Sequence, residues 1–218
     1  MITLYHCEAA RSFRPLWMLE EMGLRYELKM LPFPPRVFAK DYLSINPLGT
    51  VPYLIDGETR MTESSGICHY LGVKYGPTPL MVEPNEPAYG AFLNWMYFSD
   101  ATLTFPQTLV LRYARLEPED RRSPQVATDY AKWFLGRLRA VEAATGGAET
   151  LCAHRFTAAD IAIGYALRLA ENIGLTRDFG PNVAAYWARL ESRDGFRRAI
   201  AAEQKAGVEQ NVASWLRT

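Results

Sequence analysis

The residues in this 218-residue chain whose types and spacing could do chemistry fall in three short stretches. "HCEAARSF" (6–13) gathers an imidazole, a thiol, a carboxylate, the cation of Arg11 and the hydroxyl of Ser12. Cys7 has no second cysteine two residues along, so dithiol exchange lacks its partner, and a buried, inert thiol is the reading it favours. "MTESSG" (61–66) sets Glu63 and Ser64 where a helix begins. Orphan N–H groups, a positive dipole end and a hydroxyl suit an anion there, and the carboxylate suits a cation. The same residues also read as a plain N-cap with an acid in the first turn. "GTVPYLIDG" (49–57) reads as a buried strand closed by an Asp-Gly turn, with Pro52 at the strand's first position, where it breaks no ladder. His6, His69 and His154 show no metal-ligand spacing, so no metal is expected.

These stretches need elements to hold them. "ITLY" (2–5) is a short apolar strand, and a helix runs from about Ser12, a natural N-cap, to its stop at Gly23. "YELKM" (26–30) alternates like a half-buried strand, and "PFPPR" (32–36) cannot be helix interior. A short helical piece ends before Asn46-Pro47; strands around 52–55 and 60–61 flank the Asp56-Gly57 turn, and a helix spans about 64–75. The order is β-α-β-α-β-β-α. "GPTPLMVEPNEP" (76–87) reads as a surface linker. Beyond it, helical patterning covers roughly 86–116, 123–145, 157–171, 181–192 and 195–206.

Lys+Arg and Asp+Glu both total 24, so no net basic field would hold a nucleic acid. Glu8 and Arg11 come too early for a signal-peptide apolar region, and no run of about 18 apolar residues suggests a membrane span. Three widely spaced cysteines, Cys7, Cys68 and Cys152, suit a reducing cytoplasm rather than a disulfide framework.

With "NPLGTVPYL" (46–54), "TESSGICHYL" (62–71), "FTAADIAI" (156–163) and "LYHCEAARSFRPLWMLEEMGL" (4–24), the chain resembles the cytosolic glutathione transferase superfamily over essentially its whole length. The resemblance implies an α/β thioredoxin-like domain over 1–76, a linker over 77–87 and an all-α domain over 88–218 that carries the second-substrate site. It places a cis-proline at Pro52, with the N–H and C=O of Val51 turned outward for an extended peptide to pair with. It also assigns Ser64 and the adjacent amide to the γ-glutamyl carboxylate of glutathione and Glu63 to its ammonium; Lys40, shortly before the Asn46-Pro47 pair, is a separate candidate for the glycyl carboxylate. Thr157 and Asp160 make a capping-box pair, read as structural.

Such proteins ionise a thiol whose ordinary pKa is about 8.5, and lowering it by two units takes about 2.7 kcal/mol. The family's activating Tyr, Ser or Cys lies between the first strand and first helix. Here its usual positions hold Ala9, Ala10 and Arg11. Ser12 is one candidate donor to the thiolate and Arg11 or Arg14 the candidate cation, while Ser12 is also a helix cap whose oxygen accepts from the backbone. The implied activity is attack by the glutathione thiolate, glutathione being co-substrate, on a hydrophobic electrophile, as in detoxification, by a cytoplasmic homodimer without metal. A non-catalytic glutathione-binding carrier, favoured by the two alanines, and a glutathione-dependent disulfide reductase are the alternatives.

Overall fold

The computed structural model describes residues 1–216, which divide into two compact units: Met1–Thr78 together with the segment from Glu191 onward, and Pro79–Leu190. The first unit holds β1 (Ile2–His6), α1 (Phe13–Met22), β2 (Tyr26–Met30), α2 (Pro35–Phe38), a 3-10 turn (Lys40–Ser44), β3 (Tyr53–Asp56), β4 (Thr59–Met61) and α3 (Ser64–Lys74). The sheet order is β2-β1-β3-β4. β1 and β2 run parallel, from Ile2 opposite Tyr26 to His6 opposite Met30, and α1 is the crossover that a parallel pair requires. β3 lies antiparallel to β1 with Tyr5 opposite Tyr53, and β4 returns antiparallel to β3. This is the thioredoxin-like α/β arrangement the sequence implied.

β1 buries alternate residues, Ile2, Leu4 and His6, so the strand's period of two carries a histidine into the core. α1 buries Phe13, Leu16 and Trp17 and ends at Gly23, whose φ of 63° is the left-handed value a helix stop favours. The peptide bonds before Pro34, Pro52 and Pro77 are cis.

The second unit is all helical: α4 (Tyr89–Phe98), α5 (Phe105–Leu111), α6 (Pro124–Ala144), α7 (Ala158–Asn172) and α8 (Pro181–Glu191). The single helix expected over 86–116 is one helical run from Tyr89 with two π-helical turns, Ser99–Thr104 and Arg112–Leu116. The first of these turns precedes Pro106, which has no N–H to continue the usual ladder. At the start of α7, Thr157 and Asp160 form a capping box, and Asp160 also accepts from Leu151 N–H (3.1 Å) and the Tyr186 hydroxyl (2.7 Å). Burial raises the Asp160 pKa, against the lowering effect of those donors. Among the described residues no helix is long and apolar enough to cross a membrane.

The last helix, α9 (Asp194–Glu209), groups with the first unit, although about 170 residues separate it from α1 in sequence. Phe196 meets Trp17 and Phe13 edge to face, with ring centroids 5.0 and 5.4 Å apart. Arg193 pairs with Glu21 at 2.8 Å, and Arg198 with Glu20 at 3.2 Å. The Gln210 amide donates to Leu28 O and accepts from Met30 N–H, both at 2.8 Å, so the residue just after α9 covers the open edge of β2.

Candidate functional site

The loop from the end of β1 to the start of α1 carries the candidate thiol-activating residues, and its own backbone folds it. Ala10 N–H donates to Cys7 O (3.1 Å) and Phe13 N–H to Ala10 O (2.9 Å). Between these bonds Ala9 takes a φ of 54°, a left-handed value uncommon for a residue with a Cβ. Ser12 stands where a cap belongs, yet makes no side-chain capping bond; its Oγ accepts the Cys7 N–H at 3.4 Å, and the residue is fully buried. The expected cap is thus a loop clasp. Accepting that bond leaves the Ser12 hydroxyl its own proton to donate. Arg11 is half-buried.

Cys7 is fully buried and its thiol donates to Pro32 O at 3.7 Å. Burial first, and then the nearby charge of Glu203, push its pKa far above the usual range. Burial and that shift both favour the protonated thiol, in keeping with the buried cysteine expected from its lone position in the sequence.

At the other candidate pole, α3 begins with Ser64, and Glu63 precedes it as the N-cap residue. Glu63 is exposed and accepts from the Thr62 hydroxyl at 3.3 Å. Ser64 is buried and accepts a hydrogen bond from Arg14 Nη1 at 2.9 Å. Arg14, on α1, is itself fully buried. The sequence reading offered it to the thiolate; the structure brings it to the start of α3. The guanidinium donating into the Ser64 oxygen brings a cation, a hydroxyl and a helix N-terminus together in one place.

Val51 and Pro52 lie ahead of β3, beyond the last paired residues of the ladder, Tyr5 and Tyr53. The turn that delivers them is pinned at Thr50, whose carbonyl accepts from Asn46 Nδ2 (2.9 Å) and the Tyr42 hydroxyl (2.8 Å). Burial pushes the Tyr42 phenol up to about 12, so it stays a donor. Gly49 has a φ of 60°, and a Cβ there would fall 2.8 Å from Arg36 and Leu43 side-chain carbons, so this position requires glycine. Lys40 is exposed at the head of the 3-10 turn and lines a recess of about 470 Å³ with Tyr5, Tyr42 and Ile45.

Two features of the site went unread in the sequence. Glu203 of α9 reaches the β1–α1 loop: its Oε2 accepts Ala9 N–H at 2.8 Å and lies 2.7 Å from His6 Nε2. A readable signal existed, since Glu203 is a lone charge on the buried stripe Phe196, Ala199, Glu203 and Ala206. The second is a cavity of about 460 Å³ bounded by Glu8, Leu31, Phe33, Glu203, Val208 and Trp215. Trp215 closes it by stacking on Phe33 at 4.6 Å and donating to Glu8 O at 2.7 Å. Among the described residues no group of three or more His, Cys, Asp or Glu could hold a metal ion.

Comparison with known proteins bears on the whole chain. Residues 10–74 match the family model "Glutathione S-transferase, N-terminal domain". The glutathione S-transferase hmp2 of Hypomyces subiculosus is 33% identical over 145 residues, covering 62% of this chain and 68% of that protein. Glutathione S-transferase GstB of Escherichia coli is 29% identical over 92% of this chain and 98% of its own length. Glutathione S-transferase 3 of Schizosaccharomyces pombe is 35% identical over 47% of this chain, and the match spans 43% of that longer protein. Among solved structures, a glutathione transferase of Methylococcus capsulatus superposes with a TM-score of 0.82 at 25% identity, covering 94% of this chain and 99% of that one. A Phanerochaete chrysosporium glutathione transferase, solved with oxidized glutathione, has the same fold, with a TM-score of 0.82 at 20% identity and coverage of 94% and 95%.

Proposed function

The chain belongs to the cytosolic glutathione transferase superfamily, and on that premise we propose that it binds glutathione and activates its thiol for attack on a hydrophobic electrophile. The observation that carries this reading is the bond from Arg14 to Ser64 at the first residue of α3. A buried guanidinium behind a hydroxyl at a helix N-terminus is built for a carboxylate, and the γ-glutamyl end of glutathione presents one. Exposed Glu63 beside it suits the α-ammonium of the same end. Val51, outside the β1–β3 ladder, offers its backbone to the cysteinyl residue, and Lys40 takes the glycyl carboxylate. The relatives named as glutathione transferases, and the related structure that holds oxidized glutathione, support glutathione as the ligand.

In the reaction the thiol gives up its proton, the sulfur forms a bond to the electrophilic carbon, and the leaving group departs with its electron pair. Ser12 and Arg11 stabilise the thiolate, the first by donating its O–H and the second by charge. The protein works as a cytoplasmic homodimer; Tyr97 and Phe105, exposed on the first helical run of the second unit, are contacts available to a partner copy.

Calorimetry with glutathione tests the reading. The wild-type protein should bind it, and Ser64→Ala should lose about 1–3 kcal/mol of affinity, the scale of a hydrogen bond to a charged group. Unchanged affinity in that variant would remove Ser64 from the site. The carrier reading, favoured by alanines at positions 9 and 10, expects the same binding with no conjugation of an electrophile.

A further inference from the structure

α9 buries one carboxylate in an otherwise apolar stripe, a costly arrangement unless donors meet it. The helix has other anchors that do not need this group: Phe196 against α1, the Arg193–Glu21 pair and Gln210 on the edge of β2. What Glu203 adds is aim. Its Oε2 accepts from Ala9 N–H at 2.8 Å and meets His6 Nε2 at 2.7 Å, although His6 and Glu203 stand 197 residues apart. His6 Nδ1 is buried without a hydrogen-bond partner, and Nε2, 2.7 Å from a carboxylate oxygen, must be the donor in that contact. Ala9 is the loop's left-handed residue, so the clamp falls where the backbone most needs holding. From there the Ala10 and Phe13 amides set the turn that delivers Arg11 and Ser12 to the start of α1.

We propose that Glu203 is a positioning residue for the thiol-activating loop: acting through Ala9 and His6, it fixes where Arg11 and Ser12 stand without touching the glutathione sulfur. The inference rests on the glutathione reading above. Its sign follows from the groups that face the loop, namely His6, Cys7, Glu8, Arg11 and Glu203. A negative charge near a forming thiolate opposes it, as Glu203, second to burial, already does to the Cys7 thiol. Whatever Glu203 contributes to thiolate formation must therefore come from geometry, and a neutral acceptor of the same shape should serve as well.

Glu203→Met keeps the volume and removes the acceptor; Glu203→Gln keeps the acceptor and removes the charge. Four measurements on wild type and both variants decide: calorimetric glutathione affinity, ultraviolet titration of the bound thiol, kcat at neutral pH, and amide exchange at Ala9 by NMR. In the Met variant we expect affinity within about twofold of wild type, because the tripeptide's own contacts lie on other elements. Its bound-thiol pKa should rise by about one unit, with kcat at neutral pH about tenfold lower and Ala9 exchange accelerated. Gln should restore all three. A Met variant with a wild-type thiol pKa overturns the proposal, as does one in which Gln and Met lose stability and glutathione affinity together, the behaviour of a plain core residue. Failure of the wild-type protein to bind glutathione would fell the parent reading and this role with it, and Ala9 exchange would then report the clamp as purely structural.

Discussion

At the scale of single residues, the loop between β1 and α1 separates two jobs that the sequence had merged. Ser12 was legible as a residue at a helix start, because serine before an apolar run is a local signal. That its oxygen would turn back to Cys7 N–H depends on the loop's path and is not local. Arg14 was legible only as a nearby cation; its bond to Ser64 spans fifty positions and exists because α1 packs on α3. The activation hypothesis is now testable by sign. A hydroxyl that donates to the thiolate favours the charged form, so Ser12→Ala should raise the bound thiol's pKa and lower turnover at neutral pH by about tenfold. Raising the pH should recover much of that rate, since the thiolate then forms unaided. Arg11→Ala should give a comparable loss in the wild-type-like loop, and because a half-exposed cation is screened, the difference from wild type should shrink as salt increases. Normal rates and an unshifted thiolate titration in Ser12→Ala would sink the serine assignment.

At the scale of elements, what the sequence made plain was what neighbours in sequence decide. The strand–helix order of the first 75 residues followed from period and punctuation, and the capping box of α7 from a threonine and an aspartate three residues apart. The ties between elements were not legible. Asp56, at the end of β3, accepts from the Tyr70 hydroxyl (2.8 Å), Lys74 Nζ (2.9 Å) and the Tyr75 hydroxyl (2.7 Å), fastening the end of α3 to the sheet. Burial alone would raise the Asp56 pKa; the bonds from Tyr75, Lys74 and Tyr70 outweigh it, and the net shift is downward. A carboxyl with a folded pKa below its unfolded value of about 3.9 contributes stability above that value and loses it as pH falls through the folded pKa. Asp56→Asn should thus be less stable than wild type by about 1–2 kcal/mol at neutral pH. The gap between their urea midpoints should close below about pH 4, where wild type loses the charged form too. A gap that stays constant into acid would show that the clamp does not depend on the charge.

At the scale of the whole chain, the less expected feature is that the first unit is not finished by its first 78 residues. The helical pattern of 195–206 was plain in the sequence, but a pattern names an element and not the surface it covers. Phe196 closes over Trp17 and Phe13, Gln210 caps the edge of β2, and Glu203 meets the β1–α1 loop, so the unit's core is completed by residues that follow the helical unit in sequence. A chain ending at residue 190 should therefore lose more than a helix. It would bare the aromatic face of α1 and leave the edge of β2 open, and the buried Ala9 N–H and His6 ring would lose their acceptor. One buried aromatic side chain alone is worth about 3–5 kcal/mol against its removal, a large part of the marginal stability of an ordinary domain. The expected outcome is that the truncated protein shows a distinctly lower urea midpoint, or no cooperative transition, for Trp17 fluorescence read in a variant whose other tryptophans are phenylalanine. Because Glu142 and Asp160 hold the second unit through residues that the truncation spares, its far-ultraviolet helical signal should persist past the loss of the first. Adding a peptide of the segment from Glu191 onward should restore the Trp17 transition at peptide concentrations above its dissociation constant. A truncated chain whose Trp17 transition matches the full-length protein would show that α9 is an accessory laid on a unit already complete without it.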